Sequence, residues 1–422
     1  MEAWDILVIG DGPAALRSAA LSAKSGAKTL LISSTALGKG NSAALDGLAA
    51  PIQEMNNRGH REDTIKSGFF LCDQDIVSAK TSTAIDEMNH LEKAGVVFSR
   101  DAKGLPLTKK LIGHSSPRVV DAGDSSIRDV QQILEEQCMK HGVVRRGDQL
   151  PVMLVSTKQK VDGVITLDMV NGRFLAIQTK AVIIADGGFE GIFNGTGIGF
   201  GMDLALRAGL PLRDMEFIAK SPLAVADSKL VLSSTMLGYG ADLCDTSGAS
   251  LTADNMTDLC DIAAQSGGAV MDGRNMGDSG VWWRSAFRVV KSSTGVDMNK
   301  YTVGLENRVN QTIGGIPTDE CGRAVIGSWS RWFTGLYAAG DAACSGLNGA
   351  GILPGNRLLD ALTGGSSAAT HAAEWVAKQS FSNTDNLRES LENCEANFAT
   401  KFSAEASETV HRVGALNSRL LG

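Results

Sequence analysis

The sequence is short of proline, of paired cysteine and of long apolar runs. Only 9 prolines stand against 48 glycines in 422 residues. That balance argues against disordered linkers and for many tight strand-to-helix turns. The seven cysteines (Cys72, Cys138, Cys244, Cys260, Cys321, Cys344 and Cys394) include no CxxC pair. Neither a zinc site nor an iron–sulfur cluster has its ligand spacing, so no metal site is expected. An odd count without a framework suits a reducing compartment. No apolar stretch approaches the roughly 20 residues of a membrane span. Positive charge is not in excess. The net charge of -7 argues against a nucleic-acid partner. The first strand begins within five residues of Met1, which leaves no room for a signal peptide. The expected location is cytoplasmic, or peripheral to the inner face of a membrane through partner subunits.

What is present is an ordinary globular balance, 43% hydrophobic and 21% charged. The length suits two domains, or one with an insertion. Asp5–Gly10 (DILVIG) is a short apolar run ending in glycine, as in a buried parallel strand. Pro13–Ser25 reads as a helix and Lys28–Ser33 as a second buried strand, together a βαβ unit. Glu62–Gly95 and Ile127–His141 carry apolar positions at helical spacing. Gln149–Thr157 and Val161–Met169 read as an antiparallel ribbon, and Lys180–Gly188 as a strand running into a double glycine. Residues 220–309 turn to short irregular pieces and read as an inserted domain. Gly335–Asp341 is a further strand, Arg357–Lys378 a helix, and Ala396–Leu421 a terminal helix or helix pair. The expected divisions are 1–219, 220–309, 310–378 and 379–422.

Gly10-Asp11-Gly12-Pro13-Ala14-Ala15 matches GxGxxG/A between a strand and a helix. The first glycine makes the tight turn, the second lets backbone approach a pyrophosphate, and Ala15 permits close helix–strand packing. The helix N-terminus attracts the phosphate charge. The second strand ends at Ser33 and Ser34, where an acid commonly holds the ribose. A serine hydroxyl can still hydrogen-bond there.

Further segments follow in a recognisable order. Ser33 precedes a small-residue loop, Gly40–Pro51, which includes Gly47. Ala181–Phe193 carries the strand and double-glycine turn through Ala185, Asp186 and Gly187. Gly199–Glu216, Gly314–Asp319, Gly335–Asp341 and Asn348–Asp360 come next. In these motifs, from Asp5 to about Lys378, the chain resembles the flavoprotein subunits of succinate dehydrogenase and fumarate reductase. The resemblance implies an α/β fold: a Rossmann-like FAD-binding domain, an inserted α+β capping domain and a short C-terminal helical tail. It implies FAD as cofactor, with Asp341 at the ribityl chain and Arg357 and Leu358 near the pyrimidine end of the flavin. It also implies a small-molecule substrate and, among partners, an iron–sulfur electron-transfer subunit.

The departures from that pattern concentrate at the reaction centre. The family's respiratory members tether FAD through a histidine in an SHT motif. Gly40-Asn41-Ser42 stand there, so FAD is expected to be non-covalent. The substrate-binding HPT motif corresponds to Ser221-Pro222-Leu223, a further histidine to Asn310, and an arginine to Ile352. Replacing an arginine by isoleucine removes a charge-assisted pair. Candidate replacements are Arg284 as substrate anchor or acid, Tyr239 as proton donor and His114 as a catalytic group, with Lys220, Arg118 and Arg288 in nearby segments. Three readings stand open. One is an FAD-dependent oxidoreductase with an altered, carboxylate-type substrate. The second is a divergent succinate dehydrogenase flavoprotein subunit. The third is a catalytically degenerate FAD-binding subunit of a respiratory-type complex.

Overall fold

The computed structural model describes residues 1–38, 46–52, 57–193, 195, 197–327 and 331–402, with side chains to residue 398. Five strands run parallel, in the order Val144–Arg146, Thr29–Ile32, Glu2–Ile9, Arg173–Ile184 and Arg331–Ala338. The apolar runs of Thr29–Ile32, of Ile6–Ile9 and of Ala181–Ile184 are buried on both faces, which is why they show no alternation in the sequence. Ile6 and Val8 face one core and Leu7 and Ile9 the other. The strand Arg173–Ile184 does double duty. Its first half pairs antiparallel with Lys160–Asp168, which pairs in turn with Gln149–Thr157; its second half joins the parallel sheet.

Helix Pro13–Lys24 crosses from the first strand to the second and packs against Asn356–Val376. Small residues let the two helices approach. A Cβ added at Gly365 would lie 2.7 Å from the Ala14 carbonyl oxygen. The helix across 62–95 is in fact three: Arg58–Ser67, Gln74–Ser82 and Ala84–Ala94. Phe69 and Phe70 take left-handed φ of 54° and 60° and end the first. Asp73 then caps the second by accepting from the Asp75 and Ile76 N–H groups. Helical spacing alone carried no sign of that break.

Residues 218–312 hold a separate antiparallel sheet, in the order Asp242–Cys244, Ala269–Asp272, Val303–Thr312 and Ile218–Val225. Its apolar cluster includes Leu223, Met271, Trp283 and Phe287. Register shifts near Arg308 and Gln311 interrupt the two-residue period, so the sequence reads there as irregular. Helix Asp385–Phe402 packs Leu387 and Cys394 on the antiparallel ribbon, beginning eleven residues before the expected Ala396. Among the described residues, no helix is long and apolar enough to cross a membrane.

Candidate functional site

The first strand, Glu2–Ile9, runs into Gly10, whose φ is +129°. A Cβ there would lie 2.2 Å from the Ala185 carbonyl oxygen, so only glycine fits. The helix that follows has Pro13 in its first turn, no acidic residue in that turn and no side-chain cap. Its leading N–H groups have no carbonyl partner within the helix, and together with the dipole they make an anion site. From this turn a groove runs across the carboxyl ends of the parallel strands, where such sheets bind their ligands. Its walls bring together Gly10, Gly12, Pro13, Ala14, Ser33, Ser34, Ala185, Asp186, Gly187, Asp341 and Arg357, all singled out in the sequence.

Two acids in the wall test whether a dinucleotide fits. Asp11 stands between the glycines, yet its carboxylate is taken up by Arg145 Nη2 at 3.2 Å and the Gly38 N–H at 2.7 Å. Its charge is therefore answered within the protein rather than left to repel a phosphate. Asp186 accepts from the Gly201 N–H at 2.8 Å, while its other oxygen is buried and unpartnered. Burial pushes this carboxyl up to about 6, against the Gly201 hydrogen bond. A buried acceptor without a donor is costly, and a ligand hydroxyl or amino group would relieve it. The residues present fit a nucleotide.

At the inner end the groove meets a charge cluster that the sequence showed only in part. Arg357 donates to Asp341 from Nε at 2.9 Å and to Glu190 from Nη2 at 3.4 Å. Burial alone would lower its pKa, but Asp341 and Glu190 outweigh that and hold it raised. Gln311 donates to the second oxygen of Asp341 at 2.6 Å. Beyond Arg357 lies a smaller cavity of about 50 Å³, whose lining includes the polar Asp46, Lys220, Ser221, Asn310 and Gln311 and the apolar Leu223, Leu232, Met256 and Ile352. The Asp46 carboxyl accepts from Ser233 Oγ at 2.9 Å and Ser234 N–H at 2.6 Å. Burial raises its pKa despite these bonds. Glu190 and Asp46 were missed in the sequence. The one follows the double glycine by two residues and the other sits in a loop of small residues, and neither position carries a recognisable spacing.

The structure places the remaining described candidates elsewhere. Arg284 is exposed and lines a shallow depression with Asp278 and Arg288, apart from both the groove and the smaller cavity. Tyr239 is buried, its hydroxyl bonded to Asp121 Oδ1 at 2.7 Å and Ser99 Oγ at 2.9 Å. Burial and the Asp121 charge push its pKa up, so it is a poor proton donor. His114 is also buried, with Arg118 Nη1 at 2.9 Å from Nδ1 and the Pro354 carbonyl at 2.9 Å from Nε2. Burial and Arg118 push it down to about 3, so it stays neutral as a bracing group. Leu358 packs in the apolar core, and Gly47 serves a close approach to the Val120 carbonyl rather than the groove wall. Gly40, Asn41 and Ser42 lie outside the described residues.

A larger cavity of about 550 Å³ lies between helix Ser126–Lys140 and the segments around Leu232 and Trp283. Asp124 on its wall is already spent, accepting from the Ser285 and Ala286 N–H groups at 2.7 and 3.0 Å. It lacks the glycine turn and charge cluster of the groove.

Comparison with known proteins agrees with this geometry. A family model described as FAD binding domain matches residues 5–358. A succinate dehydrogenase flavoprotein subunit of Rickettsia felis is 28% identical over 419 residues, covering 89% of this chain and 70% of the relative. An L-aspartate oxidase of Agrobacterium fabrum is 31% identical over 394 residues, covering 88% and 73%. Among solved structures, a quinol-fumarate reductase with menaquinol molecules superposes with a TM-score of 0.84 at 24% identity, over 94% of this chain and 76% of that one. At that identity the likeness speaks for the fold.

Proposed function

The chain belongs to the FAD-binding family of the succinate dehydrogenase, fumarate reductase and L-aspartate oxidase flavoproteins, and on that premise we propose that its substrate is a small organic carboxylate bound in the cavity beyond Arg357. The protein is an FAD-dependent oxidoreductase. When bound, FAD supplies the centre that accepts or returns a hydride. The observation that carries the substrate reading is the lining of the cavity, which combines Lys220 and Arg357 with the apolar Leu223, Met256 and Ile352.

Two cations beside a small space hold one carboxylate by charge-assisted bonds. The apolar residues of the lining offer a second carboxylate nothing and exclude water from the reacting carbon instead. The cavity of about 50 Å³ takes the head of a small acid and little more. The relatives named for succinate, fumarate and L-aspartate share the carboxylate. Asp46, whose pKa burial raises, is the proposed proton donor, with Ser233 and the Ser234 N–H fixing its orientation.

FAD is proposed to be non-covalent, because Asn41 stands where the family pattern has its tethering histidine. An iron–sulfur electron-transfer subunit is the proposed electron acceptor, since the relatives from Rickettsia felis and others are named as subunits; co-purification from the native source tests it. The substrate test is anaerobic mixing of the purified yellow protein with monocarboxylates, dicarboxylates, amino acids and neutral ketones. Bleaching by monocarboxylates supports the reading. Bleaching by succinate alone, or reoxidation by fumarate alone, overturns the reading of a site for a single carboxylate.

A further inference from the structure

Arg357 is the described residue that lines both the groove and the smaller cavity. Its fork is anchored on both sides of the wall between them. Nε and Nη2 donate to Asp341 Oδ2 at 2.9 and 2.5 Å, Nη1 donates to the Asn310 carbonyl at 3.2 Å, and Nη2 reaches Glu190 Oε1 at 3.4 Å. Only 13% of the side chain is exposed. Asp341 is occupied as well, since Gln311 holds its other oxygen. The carboxylate best placed to take ligand hydroxyls is therefore already paired.

Space gives a second, independent observation. The groove offers about 200 Å³, short of the roughly 300–1,000 Å³ of ordinary ligand sites. Arg357 is the side chain at which this small groove meets the inner cavity.

We propose that Arg357 is the positioning residue that decides how far a dinucleotide enters the groove: it closes the inner end by holding Asp341 and Glu190, and it gives up Asp341 to ligand hydroxyls when FAD enters fully. The inference rests on the FAD reading. It goes further by making one side chain a latch on the cofactor site. Charge sets where the released fork turns. Asp46, on the far side of the wall, is the carboxyl that already feels Arg357. A guanidinium freed from Asp341 becomes a cation of the substrate cavity. Filling the groove thereby prepares the second site for an anion, and by reciprocity an anion there favours FAD.

The test compares FAD with ADP, which occupies only the outer half of the groove. Cofactor-free full-length protein is mixed with each ligand in stopped flow, following flavin fluorescence for FAD and competition for ADP. Arg357→Ser is expected to speed FAD association about tenfold, the scale of one charged hydrogen bond. ADP association should stay within about twofold, since no contact of the outer half changes. Arg357→Lys, which keeps the charge, should remain slow. Glu190→Gln loosens one anchor without touching Asp341. It should give an intermediate rate, and it serves as the readout if Arg357→Ser does not fold. Equal responses of FAD and ADP, or none in either variant, overturn the latch. Protein that takes ADP but never FAD, with any side chain at 357, refutes the latch and the cofactor reading together. Normal FAD rates that no variant alters refute the latch alone.

Discussion

Arg118 Nη1 lies 2.9 Å from His114 Nδ1, which makes that nitrogen an acceptor and leaves His114 Nε2–H to donate to the Pro354 carbonyl. A guanidinium has no acceptor capacity, so the tautomer follows from the contact. Arg118 is also paired with Asp63 at 2.6 Å. On the adjoining turn, Asn356 is held by His60 Nε2 at 2.8 Å and by Thr64 Oγ1 at 2.9 Å. These groups brace the turn Pro354–Asn356, which launches the long helix and presents Arg357.

The first prediction is an acid weakness. Burial and the Arg118 guanidinium push His114 down to about 3, from the ordinary imidazole value of about 6.5. The folded state refuses a proton that the unfolded chain accepts. Its stabilising share is complete above the unfolded value and is lost as pH falls from about 6.5 toward 3, at up to ~1.4 kcal/mol per pH unit. Urea unfolding across that range should show the loss. His114→Asn keeps an acceptor for Arg118 and removes the titration, so its pH slope there should be flatter. An unchanged slope refutes the assignment.

The second concerns the two glycines of the turn. Gly10→Ala forces a Cβ against the Ala185 carbonyl at positive φ, and it should cost several kcal/mol and lower Tm markedly. At Gly12 an added Cβ meets no protein atom within 4 Å. Gly12→Ala should therefore keep the wild-type Tm in the cofactor-free state and weaken FAD binding at least about tenfold, because the methyl stands where the pyrophosphate approaches. Calorimetry of both variants separates fold from site.

The third separates the sequence candidates from those the fold brings together. Arg284→Ala should leave turnover and flavin content within about twofold, since its side chain is exposed and outside both cavities. Lys220→Gln should raise KM for an active carboxylate about ten- to hundredfold, the value of a charged hydrogen bond. Asp46→Asn should lower kcat about 10²- to 10⁴-fold with flavin content unchanged, as loss of a proton donor does. If Arg284→Ala abolishes activity while Lys220→Gln does not, the proposed site is wrong.

The fourth concerns the flavin bond. Acid precipitation should leave the flavin absorbance in the filtrate, because Asn41 offers no imidazole for a covalent link. Yellow colour retained in the pellet contradicts the proposal.

The cofactor half of this protein was legible in its sequence for a physical reason. Buried parallel strands must be continuously apolar, a tight turn against a neighbouring backbone must be glycine, and a helix that opens on a phosphate must begin free of acid; each constraint is local, so Asp5–Gly10, Gly12 and Pro13 display it in the sequence. The substrate half was legible only in part: Lys220, Ser221, Asn310 and Ile352, marked in the sequence, line the small cavity, while the residues chosen for catalysis do not. Arg284, Tyr239 and His114 are the residue types that do catalysis, yet two are buried in bracing networks and one faces solvent. Side-chain type does not reveal direction, and the segment 218–312 gave no period from which to infer it. Only the tertiary structure sets Arg357 between Asp341 and Glu190 and sets Asp46 and Lys220 around one small cavity, from parts of the chain up to 311 residues apart (46 to 357). Electrostatic pairing and burial act through space, so the contacts that decide charge and access at this site exist only once the strands and helices are packed.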